Sequence, residues 1–312
     1  MTLVDPAAVH VGTLRVGIDI GGTKTDAVAV APTGEVVQQL RLPTGFGPDA
    51  VLESAVAAVT QLSALTGVSV GDFSSIGIGI PGAVDPSTGR VTHAVNLGLE
   101  GLELGTELSR RLGRPVRVDN DVNAAALGAF HLLEKTQSMA FLNLGTGLAA
   151  GIIIDGAVWR GSRGTAGEIG HIPVDPNGPE CGCGQRGCLE MLASGSAIAR
   201  QWPTDDPKPA RALFAAAAAG DQHAVEVKQR FVENVAAAVR ILVLTVDVDS
   251  VVIGGGLSSL GPVLLDDVRA VLASWEAASP FLASTGLSER VAIVPVDFPA
   301  AAVGAALVGV AQ

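Results

Sequence analysis

The sequence has 312 residues, of which 48% are hydrophobic and 16% are charged, and its formal net charge is −11. A chain of this length exceeds one ordinary hydrophobic core, so two domains are expected. The acidic balance and the lack of a dense basic cluster disfavour nucleic-acid binding. Only 4% of the residues are aromatic and none is tyrosine, which disfavours a recognition surface built on aromatic stacking.

Membrane insertion and secretion are also disfavoured by the sequence. No uninterrupted apolar run reaches the roughly 20 residues that a transmembrane helix needs. The best candidate runs are interrupted by Asp155 and Arg240, and the apolar run 300–311 is too short. Residues 1–13 carry Asp5 and lack the basic start and apolar middle of a signal peptide. We therefore expect a cytoplasmic protein that does not bind membranes.

The first part of the chain predicts antiparallel strands followed by crossover helices and buried strands. Tight turns join the strands predicted at 14–20, 26–31 and 35–41. Apolar residues at helical spacing predict helices at 49–65, 104–112 and 123–134. Further strands are predicted at 75–80 and 116–118. Together these elements make one α/β unit.

The same pattern then restarts, which predicts an internal duplication. Strands are predicted at 140–144, 151–154, 157–160, 250–253 and 291–294. Helices are predicted at 196–201, 210–219, 222–245, 263–275 and 300–310. Each half begins with a strand, a glycine-rich turn and another strand. The fold class is therefore α/β, with two related units.

Glycine-rich turns follow three of the predicted strands: Gly21-Gly22-Thr23-Lys24, Gly145-Thr146-Gly147 and Gly254-Gly255-Gly256. Glycines let backbone N–H groups approach an anion closely. A P-loop does not fit the first turn, because Thr23 separates Gly22 from Lys24 and a strand follows instead of a helix. A plain hairpin turn explains any one of these clusters. Their recurrence at equivalent places instead predicts a site for the phosphates of a nucleotide.

An acidic and amide-rich cluster, Asp119-Asn120-Asp121-Val122-Asn123, lies between a predicted strand and a predicted helix. Asn120 or Asp121 would serve there as an ordinary helix cap. An amide beside a carboxylate also suits paired sugar hydroxyls. A carboxylate within reach of a hydroxyl can take its proton during phosphoryl transfer.

All three cysteines of the chain, Cys181, Cys183 and Cys188, lie in one short run, and His171 precedes it. Three thiolates and one imidazole complete a tetrahedral structural zinc site. The alternative is a loop with one disulfide and a leftover thiol. Clustered cysteines in odd number favour metal ligation. A bound metal would fix the flanking carboxylates, Glu168 and Glu190.

Together these motifs resemble the ROK family (repressor, open reading frame, kinase), and the resemblance covers nearly the whole chain. It is carried by 16–24 and 144–151 as phosphate motifs, 253–257 as adenosine motif, 118–123 as catalytic segment, and 168–171 with 181–190 as sugar-and-zinc signature. The resemblance implies the actin/hexokinase-like ATPase fold, with duplicated RNase H-like units and a cleft between two domains. The expected domains are 1–121, completed by a C-terminal helix at 299–312, and 122–298, which contains the zinc segment 168–190.

The resemblance also implies a role for each matching residue. Asp121 would be the general base on the 6-hydroxyl of a hexose, and Asp19 would organise the Mg²⁺ carried by ATP. The other sugar contacts would be Gly82, Asn120, Glu168, His171 and Glu190. The phosphates and nucleoside of ATP would contact Gly21, Gly22, Thr23, Lys24, Gly145, Thr146, Gly147, Gly255 and Gly256. The structural Zn²⁺ would be bound by His171, Cys181, Cys183 and Cys188, with the second nitrogen of His171 directed at the sugar. A homodimer or higher homo-oligomer is expected.

The expected activity is ATP-dependent phosphorylation of a hexose, with glucose as first candidate. Mannose, fructose and N-acetylated hexosamines stay open, because Asp119 stands where many glucokinases of the family have Glu, and Ala149-Ala150 replace glycines. A sugar-sensing repressor of the same family is disfavoured, because only 13 residues precede Leu14 and they lack helical periodicity. Polyphosphate as phosphoryl donor is a third alternative, disfavoured by the cysteine signature.

Overall fold

The structure, a computed structural model, describes residues 14–295 and 298–310. The chain divides into a first unit, with residues up to Thr136, Gly156–Gly164 and residues from Pro299, and a second unit, Gln137–Asp155 with Thr165–Phe298. The prediction that residues 1–13 are not a signal peptide lies outside the described residues. Within them, no helix has the length and apolar character required to cross a bilayer.

The described strands and helices follow the predicted order closely. The strands are β1 (Arg15–Ile20), β2 (Lys24–Val30), β3 (Val36–Pro43), β4 (Ser75–Ile80), β5 (Ala83–Asp85), β6 (Arg90–Ala94), β7 (Leu99–Leu102), β8 (Val116–Asn120), β9 (Met139–Leu144), β10 (Leu148–Ile154), β11 (Ala157–Val158), β12 (Ser250–Gly254) and β13 (Val291–Ile293). The α-helices are α1 (Pro48–Thr66), α2 (Leu104–Leu112), α3 (Asp121–Leu132), α4 (Gly195–Gln201), α5 (Pro209–Ala218), α6 (Gln222–Val246), α7 (Pro262–Ala278), α8 (Pro280–Ala283) and α9 (Ala300–Val308).

The first unit is built on a sheet with the strand order β3-β2-β1-β4-β8. Strand β2 is antiparallel to both β1 and β3, as predicted, and β4 and β8 run parallel to β1. Nearly every residue of β4 is buried, which is typical of a parallel strand covered on both faces. Helix α1 packs on β1, β2 and β3, and helix α9 packs on β1 and β4.

The sheet of the second unit repeats this arrangement. Its strands are ordered β10-β9-β12-β13, with β9 antiparallel to β10 and parallel to β12, and β12 parallel to β13. In the first unit β2-β1-β4-β8 has the same order and the same directions. The predicted internal duplication is therefore confirmed at the level of topology.

A small antiparallel sheet of β5, β6 and β7 in the first unit was not predicted. Its strands are short, and the non-glycine residue His93 within β6 has a positive φ of 57°. Because this break interrupts the alternation of apolar and polar residues, the sequence lacks a clear strand pattern here. Thr92 of β6 lies close to Gly82, so this sheet contributes to the position of that residue.

The predicted domain bounds, 1–121 with 299–312 and 122–298, stay a prediction. The compact units are defined by contacts within the chain, whereas domains are defined by independent folding or motion. Segment 156–164 belongs to the first unit although the residues on both sides of it belong to the second. The described part of the C-terminal helix also belongs to the first unit.

Candidate functional site

The first glycine turn connects β1 to β2 without any intervening helix. Gly21 N donates to Lys24 O over 2.9 Å, which closes the turn. A Cβ at Gly22 would lie 3.3 Å from Asn96 Nδ2, so the backbone passes close to that side chain. Since β2 follows directly, the turn is not a P-loop. The exposed Thr23 and Lys24 leave the turn accessible to an anion.

Three buried hydroxyl groups support this turn from behind. Thr44 Oγ1 donates to Gly21 O over 2.8 Å and lies 2.9 Å from Thr25 Oγ1. Ser54 Oγ donates to Thr25 Oγ1 and to Pro43 O, both over 3.1 Å. Thr25 and Thr44 are almost fully buried. The network ties the turn to α1 and to the end of β3, and no sequence pattern predicts it.

Replacing Thr44 with valine should loosen the glycine turn. The substitution keeps the shape but leaves Gly21 O and Thr25 Oγ1 without this partner, so the free energy of unfolding should fall by about 1–3 kcal/mol. Nucleotide binding should weaken as well. Urea denaturation and nucleotide titration measure the two effects. Thr60→Val is the matched control, because the Thr60 hydroxyl donates to Val56 O on exposed helix surface. Equal behaviour of the two variants would contradict this role.

Asp19 lies near the carboxyl end of β1, half-buried and close to other carboxylates. The pKa of Asp19 is raised to about 7, by burial first and then by the negative charges of Asp121 and Asp26, with Lys24 opposing them. Two carboxylates in a poorly solvated place repel each other unless a proton or a cation lies between them. This environment fits a divalent cation, which would lower the pKa of Asp19.

The catalytic segment predicted from the sequence forms the junction of β8 and α3. Asn120 caps α3, since its Oδ1 accepts from Val122 N at 2.9 Å and from Asn123 N at 3.3 Å. Its Nδ2 donates to Gly82 O over 3.1 Å, so one amide hydrogen remains after these contacts. The capping interpretation of Asn120 is thus correct, and it is compatible with one further contact.

Gly82 is held in a conformation that few other residues adopt. Its φ is 102°, and a Cβ there would lie 2.7 Å from Thr92 O. A larger residue would therefore collide with Thr92 O and shift the backbone of residue 82. Its carbonyl, which accepts from the Asn120 amide, would move with it. The structure brings these two predicted sugar-binding residues together.

Asp121 is the first residue of α3 and half-buried. Its Oδ1 accepts from Val122 N over 3.0 Å. A Cβ on Gly79 of β4 would lie 3.5 Å from Asp121 Cα and 3.9 Å from Asp19 Oδ1. The first turn of α3 therefore lies directly against β4, and the structure brings Asp121 and Asp19 together. A carboxylate beside a second carboxylate whose environment fits a divalent cation is suited to proton removal near a phosphate.

Sequence reasoning missed Arg160, whose guanidinium pairs with the buried carboxylate of Asp119. The two residues are 41 positions apart, and no local motif joins them. Since Asp119 precedes Asn120 and Asp121 directly, Arg160 also belongs to the surroundings of the catalytic segment.

The second glycine turn is anchored within the second unit to the start of α4. Gly195 N donates to Gly145 O over 2.8 Å, and Ser196 N donates to Thr146 O over 3.2 Å. Gly145 N also donates to Gly147 O over 3.1 Å. The turn is therefore a fixed element at the carboxyl end of β9.

The third glycine turn lies against the same end of β9. Gly255 has a φ of 79°, and a Cβ there would lie 2.5 Å from Asn143 Oδ1 and 2.6 Å from Leu144 O. A cavity of about 260 Å³ opens beside this turn. It is lined by Gly195, Pro207, Lys208, Pro209, Ala210, Arg211, Gly256, Leu257, Ser259 and Leu260. Gly256 and Leu257 belong to the predicted adenosine motif 253–257, and the sequence prediction named none of the other lining residues.

The two glutamates of the sugar-and-zinc signature lie in the second unit, beside single-turn 3₁₀ helices. Glu168 is exposed and precedes the turn Ile169–His171, and Glu190 lies within Leu189–Met191. Glu190 Oε2 accepts from Leu148 N over 3.2 Å, directly beside Gly147. Glu190 and the second glycine turn are therefore brought together.

The four predicted zinc ligands form one cluster in the second unit. The ligand atoms of His171, Cys181, Cys183 and Cys188 all lie within 4.8 Å of one another. Cys183 Sγ lies 3.6 Å from Cys188 Sγ, and Cys181 Sγ lies 3.8 Å from His171 Nδ1. In a tetrahedral site with Zn–S bonds of about 2.3 Å, sulfur atoms lie about 3.8 Å apart. The donor set therefore fits zinc, and the distance between Cys183 and Cys188 excludes a disulfide there.

The polar surroundings of the cluster also order its ligands. Gln185 Nε2 donates to His171 O over 3.0 Å and to Cys183 Sγ over 3.4 Å. The Gln185 amide lowers the pKa of the Cys183 thiol to about 6, whereas burial raises the pKa of Cys188 to about 12. A cation among the sulfurs would favour the thiolate form of both. His171 Nδ1 is the nitrogen on the cluster side, which leaves Nε2 for another partner.

The predicted site residues thus fall into two groups, each assembled within its own unit. The first unit holds Asp19, the turn Gly21–Lys24, Gly82, Asn120 and Asp121. The second unit holds the turn Gly145–Gly147, Glu168, the four-residue cluster, Glu190 and the turn with Gly255 and Gly256.

Comparisons with known proteins agree with these observations. Residues 15–306 match the ROK family. A glucokinase from Halalkalibacterium halodurans is 35% identical over 275 residues, which cover 81% of this chain and 83% of that protein. An N-acetylmannosamine kinase from Haemophilus influenzae is 32% identical, covering 77% of this chain and 79% of that protein. A ROK family glucokinase from Streptomyces griseus, solved with glucose and AMPPNP, superimposes with a TM-score of 0.79 at 30% identity, covering 95% of this chain and 99% of that one. The chain belongs to the ROK family and has the actin/hexokinase-like ATPase fold of its sugar kinases.

Proposed function

We propose that the protein is an ATP-dependent sugar kinase that phosphorylates the 6-hydroxyl of a hexose, with glucose as first candidate. The observation that carries the proposal is the placement of Asp121 and Asp19 together in the same unit as the glycine turn Gly21–Lys24. Relatives named glucokinase, and a similar structure holding glucose and AMPPNP, support the choice of sugar and nucleotide.

In the proposed reaction Asp121 accepts the proton of the hexose 6-hydroxyl. The oxygen forms a bond to the γ-phosphorus of ATP, and the bond from that phosphorus to the β,γ-bridging oxygen breaks, so ADP leaves with the electron pair. Asp19 would hold the divalent cation that arrives with ATP, and that cation would neutralise phosphate charge. The proton passes from Asp121 to solvent after the hexose 6-phosphate departs.

The remaining roles follow from the chemistry of each group. The glycine turns with Thr23, Lys24 and Thr146 hold phosphate oxygens by backbone N–H groups, hydroxyls and one positive charge. Gly255, Gly256 and the cavity beside them accommodate the adenosine. The sugar hydroxyls other than the reacting one are bound by Gly82, Asn120, Glu168, His171 and Glu190. A cytoplasmic location and a homo-oligomeric state complete the proposal.

A coupled assay of ADP release across a panel of hexoses tests the activity and the sugar together. The panel contains glucose, mannose, fructose, N-acetylmannosamine and N-acetylglucosamine, each with ATP and with polyphosphate. We expect the highest kcat/KM for glucose with ATP. A preference for an N-acetylated sugar would match the relatives named N-acetylmannosamine kinase. It would change the proposed sugar and leave the proposed kinase activity intact. Sugar binding without turnover of any hexose would contradict the kinase proposal and favour a sugar-sensing regulator.

We also propose that His171, Cys181, Cys183 and Cys188 hold a structural Zn²⁺. The ion would take no part in the chemistry, but it would fix the His171 tautomer and direct Nε2 away from the cluster. It would also hold Glu168 and Glu190 in place, since the segment between them contains the ligands.

Metal analysis should find about one zinc per chain, because four ligands close a structural site. Cys183→Ser should lower zinc content and raise the sugar KM more than the ATP KM, since serine is a poor replacement for thiolate. Elemental analysis and steady-state kinetics measure these effects. The control is Asn177→Ser, at an exposed position of the same segment, and this variant should retain the zinc content and the sugar KM of the wild-type protein. A fully active protein without zinc would disprove the assignment.

A further inference from the structure

Asp119 is the most deeply buried carboxylate near the catalytic segment, with 3% of its side chain exposed. Its Oδ1 accepts from Asn120 N over 2.8 Å and from Asn123 Nδ2 over 3.2 Å. Its Oδ2 pairs with Arg160. With three donors on a buried carboxylate, Asp119 is an internal anchor and not a group that contacts substrate.

Arg160 reaches this carboxylate from a different part of the chain. It follows β11 in segment 156–164, which packs in the first unit, and β11 contacts α3. Its Nη2 donates to Asp119 Oδ2, and its Nη1 donates to Val158 O over 3.3 Å. Its side chain is 27% exposed, so the pair is largely shielded from water.

The contacts of Asp119 lie on both sides of Asp121 in sequence. One donor is the backbone of Asn120, which caps α3, and the other is the side chain of Asn123 in the first helical turn. Asp119 therefore fixes the first turn of α3, and with it the direction of the Asp121 side chain. We infer that Arg160 is a positioning residue of the proposed phosphoryl transfer, acting through Asp119 on Asp121. The inference rests on the proposed function, because it assigns Asp121 as the base.

Charge strengthens this argument. Without Arg160, the buried Asp119 would keep two neutral donors but lose the positive charge that balances it, close in sequence to Asp121. A buried carboxylate without a partner takes up a proton or moves toward water. Either response weakens its hold on Asn120 and Asn123. A displacement of the base by about 1 Å is sufficient to slow a reaction about 100-fold.

The test compares Arg160→Gln, Arg160→Lys and the control Arg163→Gln, an exposed arginine of the same segment. We expect Arg160→Gln to lower kcat about 10- to 100-fold. The KM for hexose should rise by a smaller factor, because Asn120 is loosened as well, and the KM for ATP should change little. Arg160→Lys keeps the positive charge and should recover part of kcat. Arg163→Gln should match the wild-type protein. Thermal denaturation of each variant separates loss of fold from loss of positioning.

A double-mutant cycle with Asp119→Asn identifies the route. If Arg160 acts through Asp119, Arg160→Gln should lower kcat far less in the Asp119→Asn background than alone. Additive losses, or a folded Arg160→Gln enzyme with wild-type kcat, would overturn the inference. If Arg160→Gln does not fold, the same cycle with Arg160→Lys decides between coupling and additivity. A wild-type protein that phosphorylates no hexose would instead refute the proposed function, and the positioning role with it.

Discussion

Asp121→Asn should lower kcat by about 100-fold or more while nucleotide binding survives, because an amide cannot accept the hexose proton. The substitution preserves shape, and asparagine can still accept from Val122 N as Asp121 Oδ1 does. The start of α3 should therefore stay intact, since its cap is Asn120. Steady-state kinetics with the preferred hexose and a nucleotide titration measure the two quantities.

The matched control for this variant is Asp72→Asn, an exposed aspartate of the same unit. It makes the same chemical change away from the proposed site and should leave kcat unaltered. Turnover by Asp121→Asn within a few-fold of wild type would remove Asp121 from the role of base. A large loss of nucleotide binding would instead indicate that the substitution alters the charge around Asp19.

Gly304→Val should destabilise the protein by about 3 kcal/mol or more, the upper end of overpacking costs. Helix α9 packs closely on α3 at this glycine. A Cβ at Gly304 would collide with Ala124 O and lie 2.8 Å from Gly128 N. Because these neighbours are backbone atoms, no side-chain rotation can relieve the contact. Urea denaturation followed by circular dichroism measures the change.

Gly71→Val is the control, since Gly71 is exposed and a Cβ there would have no heavy atom within 4 Å. Its effect should stay within about 0.5 kcal/mol, as for most surface substitutions. Equal urea midpoints for the two valine variants would show that α3 and α9 can move apart without loss of stability, and would contradict the prediction. A Gly304→Val protein that folds should also have a lower kcat, because α3 carries Asp121.

Local sequence patterns predicted most of the regular elements. The run Ser75–Ile80 and the helix Leu104–Leu112 were predicted with the bounds that the structure has, since both have an unbroken apolar pattern and clear ends. The cluster of His171 with the cysteines was also predictable, because its ligands come from one short segment. For these elements residue type and spacing are sufficient, whereas the sheet of β5, β6 and β7 is also local in sequence and was not predicted.

Apart from that sheet, what escaped prediction depends on residues that are distant in sequence. The pair of Asp119 and Arg160, and the hydroxyl network behind the first glycine turn, join segments that only the folded chain brings together. The lining of the cavity beside Gly256 comes from loop and helix residues whose types are common on surfaces. A single sequence gives no signal for such contacts.

The place of α9 in the fold has a consequence for biosynthesis. This helix packs on β1, β4 and α3, all of which leave the ribosome long before residues 300–308 are made. Until then, the apolar surface that receives the helix, which includes Val28 and Val30, lacks its partner. Partly synthesised chains with uncovered apolar surface associate with one another and are substrates for chaperones. The first unit, although it contains β1, can therefore reach its final packing only after residues 300–308 have been synthesised.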